Sequence, residues 1–304
     1  MNRFYSNGKL LITGEYAVLD GALALAIPTR YGQSLEITPS SENVLAWKSL
    51  DYQDQNWFEA RFTLSSFQVV NTTNPSVADT LQGLLKAARE QNPDFLSGEE
   101  GYIATSTLYF PNNWGLGSSS TLINNLAQWA RVDAYALLWK AFGGSGYDIA
   151  CAQHNTPICY RKKQPKPEVS EVDFTPSFAD RLFFVHLNQK QNSKAAIANY
   201  SQKKIDKEKL IDSVNAITTG LLHSETIETF SELLESHERL LAEILETPTV
   251  KQRLFPDYPY TLKSLGAWGG DFILAVGNEN SKNYFQKKGF RMVIPFKDMI
   301  LNSQ

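Results

Sequence analysis

The sequence predicts an α+β protein of two domains, on three observations. Its 304 residues are about twice the ~150-residue prior for one domain. The first part reads as short strands separated by glycines and turns, whereas the second mixes helices with strands. Between them, a strand enters a glycine-rich turn that opens onto an apolar helix.

Taken in order, residues 9–13 form a short apolar strand and 16–19 keep the apolar character past Gly14. Residues 22–27 are a buried segment closed by Pro28 and punctuated by Gly21 and Gly32. Residues 33–38, 44–50, 57–64 and 67–70 have the composition and spacing of an antiparallel meander. Asn74-Pro75-Ser76 opens a helix over 77–91, with Leu81, Leu84, Leu85 and Ala88 at helical spacing and Pro93 beyond its end. A strand at 102–110 ends at Pro111; helices follow at 119–131 and 134–142, then a glycine turn and an apolar stretch. The basic, proline-bearing segment 161–167 is the expected connection, which places the domains at 1–165 and 166–304. The second domain carries a strand at 182–187, helices at 193–201, 207–222 and 227–245, a glycine loop, a strand at 272–276, a helix at 281–288 and a strand at 291–295.

Composition narrows the function classes. With 42% hydrophobic and 20% charged residues the chain is an ordinary globular protein, and a net charge of -3 leaves no basic footprint for nucleic acid or an anionic membrane. The apolar runs fall far short of the ~20 residues of a membrane span, and no apolar leader follows Met1. Cys151 and Cys159 stand eight positions apart, which matches neither a redox pair nor a zinc ribbon, so a reduced cytoplasmic setting is expected. Trp129, Trp139 and the scattered aromatics read as core.

The segment Pro111-Asn112-Asn113-Trp114-Gly115-Leu116-Gly117-Ser118-Ser119-Ser120 carries the chemistry. Two glycines allow a ligand close to the backbone, and the serines stand where free N–H groups and the helix dipole converge on an anion. The same pattern also suits a tight turn with a serine N-cap. A P-loop NTPase is excluded, because no Gly-Lys-Ser/Thr follows four residues after a glycine. Context decides between cradle and turn. Asn7-Gly8-Lys9-Leu10-Leu11-Ile12-Thr13-Gly14-Glu15-Tyr16-Ala17-Val18-Leu19 precedes this loop, and Leu265-Gly266-Ala267-Trp268-Gly269-Gly270-Asp271-Phe272 follows it. In this order and at these distances, the three segments resemble the GHMP kinases, named for galactokinase, homoserine kinase, mevalonate kinase and phosphomevalonate kinase.

The resemblance spans most of the chain. It implies an N-terminal domain like domain 2 of ribosomal protein S5 and a ferredoxin-like C-terminal domain, with ATP and a small acceptor meeting in the cleft between them. Gly144-Ser145-Gly146-Tyr147-Asp148-Ile149-Ala150 is similar to the S-G-x-D-x-A stretch of mevalonate and phosphomevalonate kinases, and Asp148 matches their catalytic aspartate. A carboxylate within reach of the nucleophile accepts or orients its proton. Lys9 matches the lysine of the first motif, which in that family lies close to the aspartate and offsets charge on the transferred group. Glu15 either acts there or only orders its turn. Gly115, Leu116, Gly117, Ser118, Ser119 and Ser120, together with Gly269 and Gly270, are the expected ATP-binding residues. Ser118 and Ser119 offer hard hydroxyl ligands to Mg2+.

Three departures accompany the resemblance. Leu137 stands where mevalonate kinases place a metal-ligating glutamate, and Asp133, one turn earlier, is either a substitute ligand or a helix cap. Trp268 replaces a glycine of the third motif and either narrows the nucleotide site or stacks against a neighbour. Ser120 replaces an alanine. Asp271 matches the G-G-G-D version of that motif found among phosphomevalonate kinases. Lys190 and Lys194 fall where relatives place an acceptor-binding loop, while Arg30 and Lys263 read as solvated charges.

The resulting expectation is an ATP- and Mg2+-dependent kinase acting on a small acidic acceptor of the isoprenoid route, with phosphomevalonate first and mevalonate second. Diphosphomevalonate decarboxylase is a more distant alternative, and a binding or regulatory protein that kept the fold without turnover is the rival from another class. A single chain and a homodimer are both compatible with the sequence.

Overall fold

The computed structural model describes residues 1–189, 193–266, 268 and 270–301. The chain divides into two compact units, one of Met1–Gly8, Tyr31–Asn112 and Leu116–Gln153, the other of Lys9–Arg30, Asn113–Gly115 and His154–Gln304. Among the described residues, no helix is long and apolar enough to cross a membrane.

The strands β1 (Asn2–Thr13) and β2 (Ala24–Ser40) are divided by residue range between the units. In the first unit they are followed by β3 (Val44–Leu50), β4 (Asn56–Thr63), β5 (Val69–Thr72), α1 (Pro75–Gln91), β6 (Gly101–Leu108), α2 (Ser118–Ala130), α3 (Ala134–Ala141) and α4 (Tyr147–Gln153). The strand order is β5-β4-β3-β6-β2, with β1 paired to β2. The expected meander therefore holds only for β3, β4 and β5. β3 lies beside β6 in parallel, and β6 separates it from β2. Strand composition says where strands are, whereas pairing depends on contacts distant in sequence.

β2 also corrects the reading at Pro28 and Gly32, because one strand of 17 residues runs through both. Gly32 is required there for space. A Cβ at that position would collide with the backbone oxygen of Ser6 and the ring of Tyr5 on β1. A glycine inside a strand can mark such a close approach rather than an end.

α1 starts on a side-chain cap, Asn74 Oδ1 accepting from Val77 N at 3.3 Å, with Pro75 in the first turn. Its buried Leu81, Leu84, Leu85 and Ala88 pack with Leu35, Trp47, Phe58 and Phe62 of the sheet, and with Ile123, Leu126 and Leu137 of α2 and α3. Trp129 lies edge-on to Phe95 at 4.9 Å, which agrees with its reading as core.

In the second unit, residues 17–20 form a 3-10 turn and the first residues of β2 pair with β7 (Ile158–Arg161), which pairs in turn with β8 (Glu168–Glu171). The basic segment expected to join domains instead closes this β7–β8 hairpin. Next come β9 (Leu182–His186), α5 (Ser193–Gln202), α6 (Lys207–Leu222), α7 (Ile227–Leu245), α8 (Val250–Leu254), β10 (Leu262–Ser264), β11 (Phe272–Val276), α9 (Ser281–Lys287), β12 (Val293–Pro295) and α10 (Phe296–Met299). The sheet order is β10-β11-β9-β12, all antiparallel. With helices after β9 and β11, this is the βαββαβ arrangement of ferredoxin-like domains. Both cysteines are buried thiols outside any disulfide.

Replacing Gly32 with alanine is expected to lower unfolding stability by about 1–3 kcal/mol, the usual cost of forcing atoms into filled space. Urea unfolding of the two proteins checks this, and equal midpoints contradict it.

Candidate active site

In the first unit the site is built on α2. Its N-cap is Gly117 at φ 88, ψ 41, a left-handed conformation that favours glycine. Thr121 N to Gly117 O, at 3.0 Å, closes the first helical turn, so the N–H groups of Ser118, Ser119 and Ser120 precede the ladder as helix-end donors. Ser118 is half-buried, Ser119 exposed and Ser120 4% exposed.

The underside of α2 is polar and buried, and it is held through side chains. Ser6 Oγ of β1 donates to Asn125 Oδ1 at 2.8 Å and accepts from Asn124 Nδ2 at 2.8 Å. Asn125 Nδ2 donates to Gln33 O at 2.9 Å, Thr121 Oγ1 to Gln33 Oε1 at 2.5 Å, and Gln33 Nε2 to Ser106 Oγ at 2.7 Å. Satisfied networks of this kind rigidify the elements they join.

The structure brings Ser120 and Asp148 together. Ser120 Oγ donates to Asp148 Oδ2, and Ile149 N reaches Oδ1 at 3.2 Å. Asp148 is half-buried in the first turn of α4. Tyr135 of α3 is near it; burial chiefly, then the neighbouring Cys151 and Asp148, push the Tyr135 hydroxyl up from its ordinary value. Asp133 caps α3, its Oδ1 accepting from Tyr135 N at 2.8 Å, and Leu137 is wholly buried in the core. Among the described residues, no group of three or more His, Cys, Asp or Glu is arranged to hold a metal ion.

In the second unit, Lys9 Nζ donates to Gly115 O at 2.7 Å. The segment Asn113–Gly115 rests on β9 and β11: His186 Nε2 bonds Asn113 O at 3.0 Å, Asn113 Nδ2 donates to Asn188 Oδ1 at 2.9 Å, and Trp114 stands edge-on to Phe272 at 5.6 Å. A Cβ on Gly115 would collide with the Asp271 carboxylate, so the glycine is sterically required beside the third motif.

Lys263 corrects the solvated-charge reading. It is fully buried, with Nζ 2.6 Å from Glu15 Oε1 and 3.8 Å from Glu238 Oε2, and it also donates to Ser264 O. Glu15 is 2% exposed. Burial raises its carboxyl to about 7 against the opposing pull of Lys263. His237 Nε2 accepts from Gly14 N at 3.0 Å, which puts the proton of the neutral ring on Nδ1. Burial first, then Lys263, hold its basicity well below that of an ordinary histidine. Glu238 accepts from Ser264 N and Oγ. Neither His237 nor Glu238 stands out from sequence motifs. The available signal was two ionisable residues on the buried stripe Phe230, Leu234, Leu241 and Leu245 of α7.

Trp268 is 6% exposed at φ 54 and belongs to the cluster of Tyr16 and Tyr200, its Nε1 without a hydrogen-bond partner among the described residues. Arg30 is exposed but not free, donating to Lys297 O and Ile300 O, each at 3.1 Å. Gly270 is buried. Lys190 and Gly269, and the side chain of Lys194, lie outside the described residues.

No family model and no curated protein matches the chain. Solved structures do. The mevalonate kinase of Methanococcus jannaschii is 15% identical, with a TM-score of 0.71 and 96% of each chain covered. The phosphomevalonate kinase of Streptococcus pneumoniae, in complex with phosphomevalonate and AMPPNP, is 18% identical, with a TM-score of 0.70 over 95% of this chain and 96% of that one. The galactokinase of Lactococcus lactis complexed with galactose is 13% identical, with a TM-score of 0.67 over 94% and 88%. At such identities the likeness establishes a common fold.

The buried Glu15 and His237 make stability depend on pH in opposite directions. Between about 4.5 and about 7 the folded chain keeps a proton on Glu15 that the unfolded chain releases, so stability falls as pH rises. Below about 6.5 the unfolded chain protonates His237 while the folded chain does not, so stability falls as pH drops. Glu15→Gln removes the first contribution together with the Lys263 ion pair, so the variant is less stable overall and keeps only the His237 dependence. Stability of this variant should rise from pH 5 to 6.5 and level off to pH 8, and urea titrations across that range that match wild type would contradict it.

Proposed function

We propose that this chain, which has the fold of the GHMP kinases, is an ATP- and Mg2+-dependent small-molecule kinase whose acceptor is phosphomevalonate, with mevalonate as the alternative acceptor. The observation that carries the reading is the glycine-opened N-terminus of α2 with Asp148 hydrogen-bonded to its first turn. That pairing sets a group able to take or orient a proton against an anion-binding helix end.

The residues fit nucleotide phosphates. Gly117 presents no side chain, the first three N–H groups of α2 are donors, and the Ser118 and Ser119 hydroxyls are hard ligands suited to Mg2+. Bound ATP and Mg2+ would supply the transferable phosphoryl group and neutralise its charge. Gly115, Leu116 and Gly117 shape the loop, while Ser118, Ser119 and Ser120 provide its backbone donors. Gly269 and Gly270 enter as nucleotide-binding residues on the resemblance of the third glycine segment alone. Asp148 takes the proton of an alcohol acceptor as its oxygen bonds the γ-phosphorus and the β–γ bridging bond breaks toward ADP; with a phosphate acceptor it orients the nucleophile. The Lys9 ammonium, held on Gly115 O, offsets negative charge developing during transfer.

Phosphomevalonate is placed first because Asp271 follows Gly270 as in the G-G-G-D version of the third motif. Two observations favour the rival, a fold-retaining protein without turnover: Leu137 is buried where mevalonate kinases carry a glutamate, and Trp268 fills space beside Tyr16. Phosphoryl transfer assayed with ATP and mevalonate, phosphomevalonate, homoserine and galactose separates the two. Transfer to phosphomevalonate supports the proposal, and absence of transfer to all four supports the rival.

Asp148→Asn keeps shape but loses charge and proton affinity, so turnover should fall about 10²-fold or more with ATP affinity little changed. Steady-state kinetics and nucleotide binding on the same preparation check this; near-normal turnover removes Asp148 from the chemistry. Gly117→Val should weaken ATP binding, because it fills the space the phosphates need and strains a left-handed position. Equal nucleotide affinity by calorimetry contradicts that.

A further inference from the structure

We infer that Ser120 is a positioning residue for Asp148: its hydroxyl takes up Oδ2 and thereby fixes which carboxylate lone pairs face an incoming acceptor. The inference rests on the kinase reading of the same site and goes beyond it, since the glycine-serine loop alone assigns Ser120 to the nucleotide.

Ser120 is the third residue of α2 and 4% exposed, whereas Ser119 beside it is exposed and Ser118 half-buried. Its side chain therefore points inward while its neighbours remain open to solvent. There Oγ donates to Asp148 Oδ2, as Ile149 N approaches Oδ1 at 3.2 Å. An ionised carboxylate has about four lone-pair sites over two oxygens. With one donor on each oxygen, the plane of the group is set and one lone pair of each oxygen remains for a ligand. An alanine at position 120 would leave Oδ2 without this donor, and the carboxylate free to turn about its last bond.

The donor stands on a helix anchored from below. Ser120 is followed by Thr121, whose Oγ1 is tied to Gln33, and by Asn124 and Asn125, which are tied to Ser6 and Gln33. A shift of Ser120 would pull on these buried bonds. Asp148 in turn lies in the first turn of α4, which reaches α2 again through Gln153 Nε2 to Asn124 Oδ1 at 3.0 Å. The two helices are thus joined at both ends of α4, and the Ser120 contact is the one that lies on the carboxylate. A hydroxyl so placed supplies orientation, which governs turnover more than nucleotide affinity.

The test compares Ser120→Ala, Ser120→Thr, Asp148→Asn and the double variant Ser120→Ala/Asp148→Asn with the unaltered chain. Ser120→Ala should lower kcat about tenfold, the scale of one hydrogen bond to a charged group, with KM for ATP within about twofold and the thermal midpoint nearly unchanged. Ser120→Thr, which keeps the hydroxyl, should recover most of the loss. In the Asp148→Asn background the alanine should cost almost nothing more, because the two groups act as a unit. A second readout needs no turnover: in protein labelled with 13C at aspartate carboxyls, the resonance that disappears in Asp148→Asn should move in Ser120→Ala and stay near its place in Ser120→Thr. A rise in KM for ATP with kcat unchanged would assign Ser120 to the nucleotide and overturn the inference. An unmoved carboxyl resonance would overturn it as well. Absence of transfer by the unaltered chain to every acceptor would instead overturn the kinase reading, and the positioning role with it.

Discussion

A helix that turns polar side chains inward must satisfy each of them, and α2 is such a helix. Thr121, Asn124 and Asn125 are buried beneath it and find partners on β1 and β2. An unpaired buried amide costs on the order of 1–3 kcal/mol, so slippage of the helix against these strands would forfeit several such bonds together. The position of its N-terminus, where Gly117 turns left-handed and the serine N–H groups point outward, therefore follows from the strands below. Asp148 inherits that precision through Ser120.

The second unit solves a comparable problem with charge. Lys263 and Glu15 are buried as an ion pair, with Glu238 close to the ammonium and His237 receiving the N–H of Gly14. Isolated charges would not be tolerated there, whereas a paired and hydrogen-bonded set ties the turn after β1 to α7 and β10. Such pairs add little net stability over apolar packing, but breaking one leaves a partner charged and alone. The first motif is thereby held in one conformation, while burial raises the Glu15 carboxyl against the pull of Lys263. Trp268 belongs to the same neighbourhood, packed on Tyr16, and its aromatic bulk occupies space that a glycine would leave open.

Much of this protein was determined by sequence alone. Apolar periodicity located α1, α6 and α7 nearly to the residue, because each buries one stripe and carries its own N-cap at Asn74, Asp206 or Thr226. The glycine-serine loop, the Asp148 turn and the two further glycine segments were also visible, since local backbone requirements write themselves into local composition. Tertiary structure alone decided the rest. The parallel pairing of β3 with β6, the passage of β2 through Gly32, and the hairpin made by the basic segment all depend on contacts remote along the chain. Lys263 reads as a solvated lysine until Glu15, 248 positions away, is brought to its ammonium. Ser120 likewise looks like one more loop serine until folding sets Asp148, 28 positions on, against its hydroxyl. Pairwise electrostatics and side-chain hydrogen bonds act through space over a few ångströms, and no local pattern encodes which distant partner will arrive.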